Sequence, residues 1–188
     1  MGVLVEERVA SLREVRAVLS AEHEHLWGLL ATVRRAANGD RRSALSRLLR
    51  YLAVHEAAEQ VAMHNVWVDD STRERLDEER EAAEIVERLV RAAETAPAPA
   101  LEANDDEFLI TLDQLERTLR EHAEAEENEE LPILASRVSP TELGEMLRVL
   151  IMIREMGEDV ATPVAEDSFA GMRLAAQREF RAAIAQLR

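Results

Sequence analysis

One unit of chemistry occurs twice in this chain: His55-Glu56-Ala57-Ala58-Glu59 and His122-Ala123-Glu124-Ala125-Glu126, each a histidine followed four residues later by a glutamate. On an α-helix a step of four turns the side chain by roughly 40° and moves it one turn along, so imidazole and carboxylate share a face. Both groups ligate transition metals, and two such helices facing each other could hold metal between them.

Which way these side chains point can be read from the apolar residues around them. His122 follows Leu115 by seven and Leu119 by three, and His55 follows Leu48 and Leu52 by the same two intervals. His23 has Leu19 four before it, Leu26 three after and Leu30 seven after. All three imidazoles therefore sit on apolar stripes. His25 lies about 200° around the helix from His23, and His64 about 180° from His55, so neither can share a site with the other three. A lone core histidine is usually a hydrogen-bonded packing residue, but three on separate helices with Glu59 and Glu126 one turn on from two of them would gather titratable groups in one space. Buried carboxylates are costly unless paired or coordinated. The pattern leaves two arrangements open: Glu59 and Glu126 turned inward as ligands, or rotated outward, as acids on Ala- and Glu-rich helices commonly are.

The 188 residues include no cysteine, which removes disulfides, thiolate metal sites and thiol nucleophiles. Any metal must be held by nitrogen and oxygen, a donor set suited to iron, manganese or zinc. A formal charge of −15 and a pI of about 4.8 repel phosphate backbones and anionic bilayers, so neither nucleic acid nor membrane is an expected partner. The longest apolar run, Val149 to Ile153, is far too short to cross a bilayer, and Met1-Gly2-Val3-Leu4-Val5-Glu6 lacks the layout of a signal peptide. A soluble cytoplasmic protein is expected. Gly-rich phosphate loops, a nucleophile elbow and a His-Glu-x-x-His motif are all missing from the sequence.

The elements that carry these residues are expected to be helices. Alanine, leucine, glutamate and arginine dominate, while 3% aromatic content leaves little material for strands. The periodicity predicts a first helix over roughly 5–37, ending at Asn38-Gly39-Asp40. A second carries Leu45, Leu48, Leu49, Leu52, Val61 and Trp67 and ends at Asp69-Asp70. Ser71-Thr72-Arg73-Glu74 is a capping box for a third, with Leu76, Ile85, Val86, Leu89 and Val90 as its stripe. After the proline-punctuated stretch 95–101, Asn104-Asp105-Asp106-Glu107 caps a fourth helix bearing Phe108, Leu112, Leu115 and Leu119, which ends or kinks at Pro132. The expected fold class is all-α: an up-down-up-down four-helix bundle over residues 1–138, with two additional C-terminal helices in 139–188. Ser139-Pro140-Thr141-Glu142 opens the first of these, and the second lies near 172–187. This extension is expected to pack on the bundle or to form a homodimer surface.

Three stretches carry a resemblance: Leu19-Ser20-Ala21-Glu22-His23-Glu24-His25-Leu26, Leu52 through His55 and Glu59 to Gln60, and His122 through Glu126-Glu127 to Leu131-Pro132. They resemble the haemerythrin-like HHE cation-binding family, particularly a bacterial branch of it, over roughly residues 12–136. The resemblance implies a four-helix bundle with two non-haem irons, capped by histidines and bridged by carboxylates, with an open position for dioxygen, peroxide or nitric oxide. His23, His55, Glu59, His122 and Glu126 match the family's pattern. On helix three, where the family usually has a histidine, this chain has Glu78-Glu79-Arg80-Glu81-Ala82-Ala83-Glu84. Setting Ile85, Val86 and Leu89 inward turns Glu78, Glu81 and Ala82 toward the core, and Glu81, ahead of Glu78, is the expected substitute ligand. An anion in place of a neutral nitrogen would favour the oxidised centre, moving behaviour from reversible oxygen carriage toward oxidase-like or ferritin-like chemistry. Gln60 stands where a second glutamate often follows, and Asn65 where helix two usually has proline.

Three functions compete on these residues. The first is a diiron protein that binds or reacts with dioxygen, peroxide or nitric oxide, in sensing, scavenging, storage or oxidation. The second is a metal-poor acidic bundle that serves as an interaction or regulatory module. The third is a single-metal site holding zinc or manganese.

Overall fold

The computed structural model describes residues 2–36, 38–63, 80–91, 105–156 and 168–186. Among them the chain forms α1 (Gly2–Arg35), α2 (Asn38–Ala62), α3 (80–91), α4 (Asp105–Ala125), a π-helical turn (Glu126–Glu130), α5 (Leu131–Arg137), α6 (Pro140–Met156) and α7 (Phe169–Gln186). The architecture is an all-α bundle with extra C-terminal helices, as the composition and the 3.6-residue periodicity imply. None of the described helices is long and apolar enough to cross a membrane. His64, Asn65, Trp67, Asp69-Asp70, the capping box at 71–74, Leu76, Glu78, the stretch 95–101 and Asn104 lie outside the described residues.

Asn38-Gly39-Asp40 does not close the first helix, as its turn chemistry suggests, but opens the second. Arg34 and Arg35 occupy the last turn of α1 and Asp40 the first turn of α2, so each charge opposes the end of the helix dipole beside it.

The regular α-helical stretch of α4 ends at Ala125, and Pro132 stands in the first turn of the helix that follows the π turn, as a proline break implies. In the π turn the Leu131 N–H donates to the Glu126 carbonyl five residues back, and at the start of α5 the missing proline N–H is tolerated. The buried stripe along α4, the π turn and α5 includes Phe108, Leu112, Leu115, Leu119, Ala123, Glu126, Leu131 and Leu134, with strides of three or four and a single stride of five at the π turn. The wide π turn is what lets a stride of five still bring Glu126 and Leu131 to the same inward face.

The core is divided. One apolar cluster joins Leu26, Leu30 and Val33 of α1, Leu45, Leu48 and Leu52 of α2, Ile85, Val86 and Leu89 of α3, and Phe108, Leu112, Leu115 and Leu119 of α4. A second joins Val15 and Leu19 of α1, Ala62 and Met63 at the end of α2, Leu131 and Leu134 of α5, and Leu143, Met146 and Leu150 of α6. α6 packs on α1 and α2, and α7 lies along α2, where Phe180 and Ala176 meet Ala57, Ala58 and Val61. The capping box of α6 closes as the sequence implies: the Glu142 N–H donates to Ser139 Oγ at 3.2 Å and the Ser139 N–H to Glu142 Oε2 at 2.7 Å. The backbone N–H of Ser139, and then its side chain, hold the Glu142 carboxyl below its ordinary range.

Candidate metal centre

Between the two clusters runs one polar layer. On α1, Leu19 belongs to one cluster and Leu26 to the other, with His23 between them; on α2, Leu52 and Ala62 flank His55 and Glu59; on the α4 rod, Leu119 and Leu131 flank His122 and Glu126. Helical spacing delivers the donors to the same level from three helices. His23 and His55 are buried, as are Glu59 at 2% exposure and Glu126 at 0%, while His122 is half-buried. The inward alternative for both carboxylates is therefore the one the fold adopts.

Glu59 is the hub. Its Oε1 lies 2.9 Å from His55 Nε2 and 3.8 Å from His23 Nε2, and its Oε2 lies 3.6 Å from His122 Nε2. His23 Nε2 is also 3.4 Å from Glu126 Oε2. Two donor triads result, His23/His55/Glu59 and Glu59/His122/Glu126, each with ligand atoms within 4.8 Å of one another. Two ligands about 2.1 Å from one ion lie about 3.0 Å apart at a right angle and about 4.2 Å apart when opposite, and the observed 2.9 to 3.8 Å separations fall close to that range.

Hydrogen bonding does not account for the layer. His23 Nε2, Glu59 Oε1 and both Glu126 oxygens are buried without a hydrogen bond from the protein; the 2.9 Å approach of His55 Nε2 to Glu59 Oε1 does not satisfy hydrogen-bond geometry. Buried polar atoms are nearly always satisfied, and four orphans converging on one volume fit a cation. The field agrees. Burial lowers the pKa of His23, yet the Glu126 and Glu59 carboxylates facing Nε2 outweigh it and push it from 6.5 up to about 11. Burial raises Glu59, but the charge on His55, followed by the close approach of the His122, His23 and His55 imidazoles, holds its carboxyl well below 4.5. A proton on His23 thus answers the same negative potential that a metal ion would.

The surrounding groups fix the donors. His23 Nδ1 donates to Glu127 Oε1 at 2.7 Å, and Ser20 Oγ donates to Glu127 Oε2 at 2.6 Å, which leaves Nε2 as the inward atom of His23. Trp27 stacks on His23 with ring centroids 6.2 Å apart, and Arg120 lies 4.4 Å from the Trp27 ring. Tyr51 stacks on His55 at 6.4 Å and donates its hydroxyl proton to Glu22.

Of the residues the sequence singles out, His23, His55, Glu59, His122 and Glu126 come together. Glu81 does not: it is exposed, and Ala82 is the buried residue beside it. The buried face of α3 is centred between Ala82, Ile85, Val86 and Leu89, and Glu81 sits about 90° from that centre, at the edge of the stripe. Glu78 lies outside the described residues, as does His64; His25 is exposed and packs on Tyr51. Glu127 is the residue sequence reasoning passed over. On a regular helix it points about 100° away from Glu126, and only Ser20, three residues before His23 and four before Glu24, hints at a polar partner on that side.

A family model described as Hemerythrin HHE cation binding domain matches residues 14–134. No curated protein and no solved structure matches the chain.

Proposed function

The chain belongs to the Hemerythrin HHE cation binding domain family, and on that footing we propose that it is a haemerythrin-like protein holding two non-haem iron ions between α1, α2 and α4. One observation carries the reading: the two oxygens of Glu59 face two different donor sets, Oε1 toward His55 and His23 and Oε2 toward His122. A carboxylate so placed is built to bridge. His23, His55 and Glu59 would hold one ion and His122 and Glu126 the other. Two histidines and one carboxylate form the donor set typical of non-haem iron, and the absence of sulfur ligands agrees. Manganese or zinc would be accepted by the same atoms.

When bound, such an iron pair supplies a redox-active open position for dioxygen, peroxide or nitric oxide. The protein's own part is to orient and to exclude water. Glu127 holds the Nδ1 proton of His23 so that Nε2 faces inward, and leucines above and below the layer keep it dry. Sensing, scavenging or storage of a small oxidant by a cytoplasmic protein, alone or as a homodimer, is the role we infer. The acidic surface supports a partner that is neither nucleic acid nor bilayer.

The exposure of Glu81 leaves the His122/Glu126 set one donor poorer than the resemblance implied, and this favours a single-ion centre as the second reading. Elemental analysis of protein purified aerobically from metal-supplemented cells separates them. We expect about two irons per chain, as in related carboxylate-bridged bundles. One ion per chain would support the second reading, and no transition metal at all would sink both.

A further inference from the structure

α7 lies beyond the family-matched residues 14–134, yet its polar contacts are made directly behind the donors. Arg173 Nη1 donates to Glu56 Oε2 at 3.1 Å, and the Gln177 side-chain amide donates to Gln60 Oε1. Glu56 follows His55 and Gln60 follows Glu59, so the grip repeats the four-residue spacing of the ligand pair, displaced by one residue. Around the α2 axis Glu56 and Gln60 are each about 100° from the ligand preceding them. Between and beyond them Ala57, Ala58 and Val61 meet Ala176 and Phe180. α2 is thus buried on both sides from Leu52 to Met63 apart from two partly covered positions: ligands point into the bundle, and a polar and apolar contact surface points onto α7.

We propose that α7 is the outer clamp of the metal centre, with Arg173 and Gln177 as positioning residues that set the rotation of α2 and so place His55 and Glu59; the inference rests on the metal-binding reading above. The magnitudes make such a clamp consequential. Side-chain tips lie about 5–6 Å from a helix axis, so a rotation of about 10° moves a donor by about 1 Å. Metal–ligand distances tolerate roughly 0.2 Å. Ala57 and Ala58 offer α7 small contacts that permit rotation, whereas a charged and an amide hydrogen bond, one turn apart, fix it. Glu56 is 7% exposed and Arg173 partly buried, so this pair is shielded far better than a surface ion pair.

The test compares Arg173→Gln and Gln177→Ala with Arg178→Gln, a control on the exposed face of the same helix. Two readouts are taken on the full chain: hydrogen exchange of residues 53–61 in metal-free protein, and Co(II) affinity with its visible ligand-field spectrum. We expect Arg173→Gln to raise exchange at 53–61, to weaken Co(II) binding by about 10-fold or more and to change the spectrum, with Arg173→Lys restoring most of the affinity. Should Arg173→Gln fail to fold, Gln177→Ala carries the same comparison with a smaller shift. If the clamp variants match the control in exchange, affinity and spectrum, the proposal is overturned. Faster exchange with unchanged Co(II) affinity and spectrum also overturns it, since α7 would then brace α2 without placing its ligands. Faster exchange in the clamp variants, when the parent chain itself takes up no cobalt, sinks the metal reading instead and leaves the hold of α7 on α2 standing.

Discussion

Glu127, the residue directly after Glu126, accepts a hydrogen bond from His23 Nδ1 at 2.7 Å, while Glu126 Oε2 faces Nε2 of the same ring at 3.4 Å. Two consecutive acids therefore address the two nitrogens of one imidazole, and both stand at the start of the π turn.

That relationship gives a first prediction. Glu127→Ala removes the acceptor that fixes the tautomer of His23 while leaving every inward donor in place, and should weaken metal binding by about 10- to 100-fold. Competition against a chelator of known affinity measures it. Equal affinity in variant and parent would mean the His23–Glu127 contact is packing alone.

Glu59→Ala and His122→Ala should differ in stoichiometry. Glu59 stands in both triads and His122 in one, so the first variant should lose all bound metal and the second should keep up to one ion. Metal content per chain after dialysis gives the answer, and retention of two ions by Glu59→Ala would exclude a bridging role.

The metal-free fold should be most stable in mildly acidic solution. His23 is raised from 6.5 to about 11, so its contribution is complete below pH 6.5 and is lost progressively as pH rises toward 11. Glu59 is lowered from 4.5, so its contribution is complete above pH 4.5 and is lost as pH falls below that. A thermal midpoint measured across pH should peak between these two values in the presence of chelator. Because ligation requires a neutral imidazole, metal uptake at pH 7 should also release a proton from His23, detectable in weakly buffered solution.

Deleting Asn128, an exposed residue in the π turn, should restore a regular stride of four between Glu126 and Leu131, so both still face inward. The cost falls on Pro132, which then lies inside an unbroken α-helix with no N–H and with its ring against the carbonyl four residues back. Urea unfolding should show a loss of about 3 kcal/mol, and Pro132→Ala in the same background should recover most of it. A deletion variant as stable as the parent would show that the π turn gives Pro132 no relief.

Much of the fold was legible because leucine spacing is a strong signal: His23, His55 and His122 could be assigned to inward faces from Leu19, Leu26, Leu48, Leu52, Leu115 and Leu119 alone, and their burial agrees. The choice between inward and outward carboxylates was not legible, since an alanine-rich helix offers no pattern around Glu59 to show that α7 covers its far side. Glu81 shows the limit of reasoning by stripe. At the edge of a buried face, a 20° error in the assumed centre decides whether a side chain meets core or water. Glu127 was hidden for a different reason: it stands in a π turn, which regular periodicity does not describe.

The donors occupy a band between two leucine-rich blocks, each closed upon itself. Such a rod resembles masonry with a removable course: the stones above and below hold whether or not the course is replaced. Because the apolar contacts of each block do not run through the donors, a single donor can be exchanged while those contacts remain.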